Sequence, residues 1–492
     1  MCGVVGIFGE GNVSLELYYG LKALQHRGQS SAGIITFDGN IHPKKDAGTV
    51  NQLLKKYDDV YGLVADTPGP IGIGHTRYST SGGDNWKDLK KNAQPEYVVN
   101  PFLAACHNGN IYNGKEVLSH CRRKPRTDCD IQYLLLPMAE SLPSYEKIDF
   151  DTIVEAAEKV MMLTRGSYSA LFLTAKKDEP FLFAMTDPHK IRPLVMGRKD
   201  GSYYFASESS VLTKLGVEDY QDVDSGVILG VKPGEDEPFT KKIYKKKKYP
   251  CMFEYIYFAD PNSWIEKRSV HHVRVEIGKE LARKGEVKAD VVVPVPESGR
   301  RYAIGFSYES GIPIEEGLKK DERQRTFILQ TQDERDRIAT TNMSAIRAAV
   351  EGKDVVLTDD SLVRGTNIKR VIEKLRKAGA KKVHVRIGCP PLVAPCFLGI
   401  DMRSKKEFIA IDQEKNELRD WNTIAKMIGA DSLVYGDINM LRKAILKGTD
   451  EEEYDICTGC LNFPDGYPPE MREEIREMAE RAVCEGCRAY EV

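Results

Sequence analysis

Residues 1–9 read MCGVVGIFG. A cysteine stands second, directly behind the initiator methionine, and an apolar strand pattern starts at once after it. If Met1 is cleaved, Cys2 carries a free α-amine with an unperturbed pKa of about 7.7–8.0. That amine can act as base for its own thiol, so nucleophile and base share one residue. Taken alone, the stretch reads more readily as an incidental cysteine, and the neighbours must decide. Such a site also needs an oxyanion hole and groups that hold a substrate. CHNGNIYN (106–113) offers the side-chain amide of Asn108 and the backbone N–H of Gly109, where an absent side chain allows close approach. GHTRYSTSG (74–82) offers Arg77 as a bidentate carboxylate clamp. RTDCD (126–130) offers Asp128, which would hold an ammonium group.

Working outward, short apolar strands recur through residues 1–235: VVGIFG, SAGIITF, IGIGHTRY, FLAACHNG, SALFLTA and YYFASES. Helical stretches such as SLELYYGLKALQHRG and TDCDIQYLLLPMAESL interleave with them. Many strands with grouped helices imply packed sheets covered by helices. VKPGEDEPFTKKIYKKKKYP (231–250) follows, with six lysines between Lys241 and Lys248. It reads as a solvated edge hairpin plus connector, with a phosphate-facing basic patch as the sharper alternative. From residue 251 the pattern changes. ADVVVPVPESG, KDVVLTDDSLVRGTN and KKVHVRIGCPP are buried-looking strands ending in polar loops, and IKRVIEKLRKAGA is a helix after the second. Strand, loop, helix, strand is a βαβ unit and implies a mostly parallel sheet. His271 and His272 are read in a strand, where their side chains diverge. The expected boundaries are residues 2–235, a linker at 236–250, a second domain at 251–455 and a cysteine-containing helical tail at 456–492.

A 492-residue chain with 41% hydrophobic and 29% charged residues suits two globular domains. A net charge of −2 supplies no global field for nucleic acid or anionic lipid, so neither is expected as a partner. The sequence has no run of eighteen apolar residues and no signal-peptide pattern, so a cytoplasmic location is expected, without a membrane. Eleven cysteines should then be free thiols or ligands rather than disulfides.

VVLTDDSLVRGTN carries the second constellation. Asp359 and Asp360 stand at the carboxyl end of a parallel strand, where ligands bind. Adjacent carboxylates there suit vicinal hydroxyls or Mg²⁺. The loop amides and the following helix N-terminus favour an anion. A plain acidic turn is the other reading.

In the first half, CGVVGIFG, LQHRGQSSAGI, GHTRYSTSG, HNGN, GSYSALFL and DPHKIRPLVMG stand in order across residues 2–197. Together they resemble a class II glutamine amidotransferase domain. The resemblance implies an α+β N-terminal-nucleophile sandwich (αββα). It implies that Cys2 attacks the glutamine side-chain amide, with Asn108 and Gly109 stabilising the oxyanion. Arg77 would hold the α-carboxylate, Asp128 the α-amine, and Arg27 would support the nucleophile. VVLTDDSLVRGTN resembles the PRPP (phosphoribosyl pyrophosphate) motif of type I phosphoribosyltransferases, an α/β fold. The upstream VPESG resembles their diphosphate and metal loop. This resemblance implies a substrate site of Glu297, Ser298, Lys320, Arg325, Asp359, Asp360, Ser361, Arg364, Gly365 and Thr366, with Mg²⁺ at Ser298, Asp359 and Asp360.

The whole chain is thus similar to the amidophosphoribosyltransferase family. That likeness implies that ammonia freed at Cys2 passes internally and displaces diphosphate from PRPP, giving 5-phosphoribosylamine and glutamate. It also implies a homotetramer inhibited by purine nucleotides. Several positions depart from the family pattern. DERQRTF (321–327) is one residue shorter than usual, Asn342 stands at a lysine position, Asn367 replaces a threonine, and Asp260 replaces an arginine. Each alters the charge or contacts offered to a diphosphate, so weakened PRPP binding is an expectation. Two alternatives follow: a paralogue with another nucleotide or phosphoribosyl acceptor, or a nucleotide-sensing regulator with an inactive transferase site.

The cysteines admit two readings. CTGC (457–460) and CEGC (484–487), with twenty-three residues between them, suggest a Cys₄ zinc site of rather long spacing. The family resemblance implies instead a [4Fe–4S] cluster on Cys251, Cys396, Cys457 and Cys460, leaving Cys484 and Cys487 over.

Overall fold

The strand Gly3–Phe8 lies between Ile71–Arg77 and Ser202–Ala206, antiparallel to both. Apolar residues on both of its faces explain why it reads as a continuous apolar run. Val4 packs into one core with Ile35, Ile73, Leu171 and Leu182, while Val5 and Ile7 pack into another with Leu17 and Leu21 of the helix Ser14–Ala23. The computed structural model describes residues 1–79, 85–177, 179–232, 235, 237–320, 343–402, 404–449, 451 and 453–481. Arg325, Asn342, the 321–325 segment, Cys484 and Cys487 lie outside the described residues.

Contacts divide the chain into two units, the first comprising Met1–Pro250, Ser263–Lys267 and Phe397–Asp401. A seven-stranded sheet runs in the order Asp219–Asp222, Val195–Lys199, Ser202–Ala206, Gly3–Phe8, Ile71–Arg77, Ser31–Phe37, Ile41–Ala47. A six-stranded sheet runs Phe239–Lys242, Val227–Val231, Glu179–Thr186, Gly166–Lys176, Leu103–Ile111, Glu96–Val98. Alternation sorts each strand between layers. On Gly166–Lys176, Leu171 and Leu173 face the core shared with the first sheet. Ala170 and Phe172 face Leu135 of helix Gln132–Ser141 and Val160 of helix Phe150–Leu163. The result is helix, sheet, sheet, helix: the αββα sandwich. Each fully buried Leu, Val or Phe contributes about 1.5–3 kcal/mol of transfer free energy.

Phe239–Lys242 pairs with Val227–Val231 at the sheet edge. Part of the stretch read as linker therefore belongs to the first unit as an edge strand, where its lysines reach solvent.

The second unit is Cys251–Asn262, Arg268–Cys396 and Met402–Val492. Its sheet is Val291–Pro294, Asp354–Asp359, Lys382–Ile387, Ser432–Tyr435, parallel throughout. Helix Thr366–Lys377 follows the second of these strands and buries Ile368, Val371, Ile372 and Leu375 at i, i+3, i+4 and i+7, one face of a 3.6-residue period. Leu318–Lys320 and Met343–Ala345 form a separate antiparallel pair. His271 and His272 are not in a strand. They open the helix Val270–Lys284, whose N-cap Ser269 accepts from the His272 N–H at 3.3 Å. In the expected tail, Arg472–Arg481 is helical, whereas the Cys457–Cys460 stretch is irregular.

Candidate active site

Cys2 sits immediately ahead of the Gly3–Phe8 strand and is 6% exposed. Pairing of Gly3 with Thr76 brings Arg77, the last residue of its strand, to the level of Cys2. The Cys2 N–H donates to Asn108 Oδ1 at 3.2 Å, and Cys2 Sγ lies 3.7 Å from the Tyr78 carbonyl oxygen. With Oδ1 engaged, Asn108 Nδ2 is buried and has no hydrogen-bond partner among the described residues. Buried donors without partners are rare, and one beside a thiol suits an oxygen that becomes negative during reaction. Gly109 follows on the same strand. A Cβ there would stand 1.9 Å from the Ser167 carbonyl oxygen, so only glycine permits this approach.

Arg27 is wholly buried; its Nε donates to the Cys2 carbonyl oxygen at 2.9 Å and its Nη1 to Glu208 Oε1 at 2.6 Å. Burial pushes the Glu208 carboxyl up, but Arg27 and His26 outweigh it and hold the group well below the carboxylate range. Met1 is buried as well, its Sδ 2.6 Å from Arg192 Nη1. Burial, with Arg192 and Arg27 nearby, pushes its α-amine down to about 6. The segment Phe397–Asp401 lines the same strand ends. Asn110 Nδ2 donates to the Phe397 carbonyl and Ser167 Oγ to the Leu398 carbonyl, both at 2.8 Å, and Arg192 Nη2 also donates to Leu398.

Asp128 is not part of this cluster. Its side chain is 66% exposed and meets Lys91 at 3.2 Å. Asp130, two residues on, is buried instead, with Oδ2 3.0 Å from His107 Nε2. Burial raises its carboxyl, but His107 and Arg77 prevail and hold it below its ordinary value. His107 is held in turn by Gln94, and His75 Nε2 faces the His107 carbonyl at 3.0 Å. Asp130 stands in the same RTDCD motif as Asp128, and the sequence reading did not single it out.

In the second unit, Ser298 Oγ donates to Asp359 Oδ1 at 2.7 Å, and the Asp360 N–H donates to the same oxygen at 2.9 Å. Ser361 Oγ donates to Asp360 Oδ1. Burial and mutual repulsion push the Asp359 carboxyl above the ordinary range, and burial does the same to Asp360. Such a pair is short of positive charge. Gly365, at φ +78°, starts the helix that presents Thr366 in its first turn. Arg364 meets Glu407 at 2.8 Å. Glu297 points outward, 65% exposed, toward Arg300 and Arg301. Lys320 is exposed at the end of its short strand.

Cys251, Cys396, Cys457 and Cys460 are all buried. Cys251 and Cys457 bridge as parallel backbone partners, with the Met252 N–H donating to the Cys457 carbonyl at 3.2 Å. Val393 N–H donates to the Cys460 carbonyl at 2.9 Å, which draws the Cys396 segment to the same place. Burial, then Cys396, Cys251, Cys389 and Cys457, push the Cys460 thiol well up. Among the described residues no three His, Cys, Asp or Glu side chains converge on a single metal ion.

Residues 75–214 match the glutamine amidotransferase domain family. Amidophosphoribosyltransferase of Methanocaldococcus jannaschii is 40% identical, aligned over 96% of this chain and 99% of its own. That of Archaeoglobus fulgidus is 38% identical, over 96% and 100%. Among solved structures, glutamine PRPP amidotransferase from B. subtilis complexed with ADP and GMP superposes with a TM-score of 0.80 at 33% identity, over 95% of this chain and 97% of that one.

Proposed function

This chain belongs to the amidophosphoribosyltransferase family, and from that premise we propose which residues carry its two half-reactions. The enzyme makes 5-phosphoribosylamine, diphosphate and glutamate from PRPP, glutamine and water, the first step of purine biosynthesis. In the first half-reaction Cys2, freed of Met1, is the nucleophile. Its thiol adds to the side-chain amide carbon of glutamine while its α-amine takes the thiol proton. Asn108 Nδ2 and the Gly109 N–H receive the oxyanion. Returning the proton to the amide nitrogen releases ammonia and leaves a glutamyl thioester, which water cleaves to glutamate. Arg77 clamps the α-carboxylate. Asp130, rather than Asp128, receives the α-amine. The observation that carries this reading is Asn108, whose Oδ1 is engaged by Cys2 at 3.2 Å while its buried Nδ2 has no partner among the described residues.

In the second half-reaction ammonia attacks C1 of the PRPP ribose and diphosphate departs. Ammonia handed on without release to bulk water stays unprotonated and nucleophilic. Asp359 and Asp360 face the ribose hydroxyls, and Ser361, Arg364, Gly365 and Thr366 receive the 5′-phosphate. Glu297, Ser298 and Lys320 attend the diphosphate. Ser298, Asp359 and Asp360 suit Mg²⁺: two buried, charge-deficient carboxylates and a hydroxyl are hard oxygen donors, and substrate phosphates complete such sites. When bound, Mg²⁺ neutralises the departing diphosphate.

Four buried thiols from three segments suit a [4Fe–4S] cluster on Cys251, Cys396, Cys457 and Cys460. Each iron of such a body takes its own thiolate, so the ligands stand apart instead of converging on one point. The relative complexed with ADP and GMP supports purine nucleotides as ligands here too. We assign a tetrameric assembly and a cytoplasmic site of action on family grounds; among the described residues no helix is long and apolar enough to cross a membrane.

The test is incubation of purified protein with glutamine or ammonium, with and without PRPP and Mg²⁺, following glutamate and diphosphate separately. Cys2→Ala should lose glutamine-dependent synthesis and keep ammonia-dependent synthesis. Working glutaminase without ammonia-dependent phosphoribosylamine formation would overturn the transferase assignment.

A further inference from the structure

Glu208 lies two residues beyond the strand Ser202–Ala206 and is 2% exposed. The residue between continues the pairing with the N-terminal strand: Val4 N–H donates to Ser207 Oγ at 2.9 Å, and Ser207 N–H to the Val4 carbonyl at 3.0 Å. Glu208 is thereby fixed alongside the first residues of the chain. Both of its oxygens are occupied. Oε1 accepts from Arg27 Nη1 at 2.6 Å and lies 2.8 Å from His26 Nε2. Oε2 accepts from Ser263 Oγ at 2.8 Å and from Ser210 Oγ at 3.4 Å. Through Arg27, whose Nε reaches the Cys2 carbonyl at 2.9 Å, one carboxylate stands two hydrogen bonds from the nucleophile's own backbone.

That carbonyl has particular weight. Once Met1 is gone, no preceding peptide holds Cys2: its covalent tether is on the carbonyl side alone, with Asn108 Oδ1 as the contact at its nitrogen. The orientation of the carbonyl then sets where both thiol and amine point. A guanidinium as deeply buried as Arg27 keeps its place only with a buried counter-charge, and Glu208 supplies one.

We propose that Glu208 is a positioning residue for glutamine hydrolysis, locking Arg27 onto the Cys2 carbonyl, and that Ser263 holds the carboxylate in that orientation. The inference rests on Cys2 being the nucleophile. Ser263 opens the short Ser263–Lys267 segment, which also seats its Trp264 N–H on Ser209 Oγ at 2.8 Å. This segment therefore helps to set the geometry of the N-terminal catalyst.

The experiment compares wild type, Cys2→Ala, Glu208→Gln and Ser263→Ala. It measures glutaminase kcat and KM, ammonia-dependent phosphoribosylamine synthesis, and the rate of Cys2 alkylation by iodoacetamide. Small misplacements of a reacting group cost rate steeply. Glu208→Gln should lower glutaminase kcat by roughly tenfold or more, with KM for glutamine held within about twofold. Cys2 alkylation should slow, and ammonia-dependent synthesis should persist. Ser263→Ala should move kcat the same way by about threefold, and it serves alone if Glu208→Gln does not fold. Wild-type kcat in the folded variants overturns the proposal, as does equal loss of glutamine- and ammonia-dependent rates in Ser263→Ala. Retained glutamine-dependent activity in Cys2→Ala would instead remove the premise about Cys2.

Discussion

Asp130 meets His107 at 3.0 Å within the buried cluster, whereas Asp128 spends its charge on Lys91 at the surface. Both aspartates stand in an irregular loop, where no helical or strand period marks which side chain turns inward. The motif was legible in the sequence; which of its two aspartates turns into the buried cluster was not, because burial set that. Asp130→Asn should raise KM for glutamine by roughly tenfold, the order expected for losing a charged contact. Asp128→Asn should leave KM within about twofold, since exposed ion pairs contribute little. Steady-state glutaminase assays distinguish the two. His75 adds a pH dependence to the same cluster. Burial, with His107 and Arg77 beside it, pushes its pKa down to about 3. The unfolded chain takes up this proton near pH ~6.5. Below that value the unfolded state binds a proton that the folded state refuses, so stability is full above about 6.5 and falls as pH drops toward about 3. Between pH ~7 and ~5 this residue alone should cost about 2 kcal/mol. Urea unfolding of wild type and His75→Gln at both values checks it: the variant should lose less on acidification.

At the scale of elements, the Leu103–Ile111 strand carries chemistry at its end because Gly109 lets the neighbouring strand come close. The Ser167 carbonyl occupies the space that a side chain at 109 would need. Gly109→Ala should cost about 1–3 kcal/mol from overpacking and abolish measurable glutaminase, read by thermal unfolding alongside the glutamate assay. Apolar runs and turn residues made the strands legible. Helix Val270–Lys284 was obscured by β-branched Val270, Val273, Val275 and Ile277, residue types that favour strands. Tertiary packing overrode that preference, since Val270, Val273, Ile277 and Leu281 recur at helical spacing and are all buried.

At the scale of the molecule, two halves were legible from the change in strand pattern near residue 251. Assignment of Ser263–Lys267 and Phe397–Asp401 to the first unit was not. Phe397 and Leu398 make their contacts with Asn110, Ser167 and Arg192 through backbone carbonyls, which every residue type carries. The proposed four-thiol site would be a further long-range feature. It would gather residue 251, residue 396 and the 457–460 pair, so no local spacing encodes it, and the two terminal CxxC pairs taken alone suggested zinc. Beside these cysteines Tyr467 is buried and donates to the Pro395 carbonyl at 3.3 Å, joining the 457–467 stretch to the Cys396 segment. Protein purified without oxygen should therefore be brown, absorb near ~400 nm and contain iron and sulfide. Cys457→Ser should lose all three signals. Because a bound group that favours the folded state stabilises it by mass action, removing the iron should also expose the 456–481 region to limited proteolysis before the parallel sheet. A colourless protein with stoichiometric zinc would overturn the cluster. Iron loss with unchanged cleavage would confine its role to the thiols themselves.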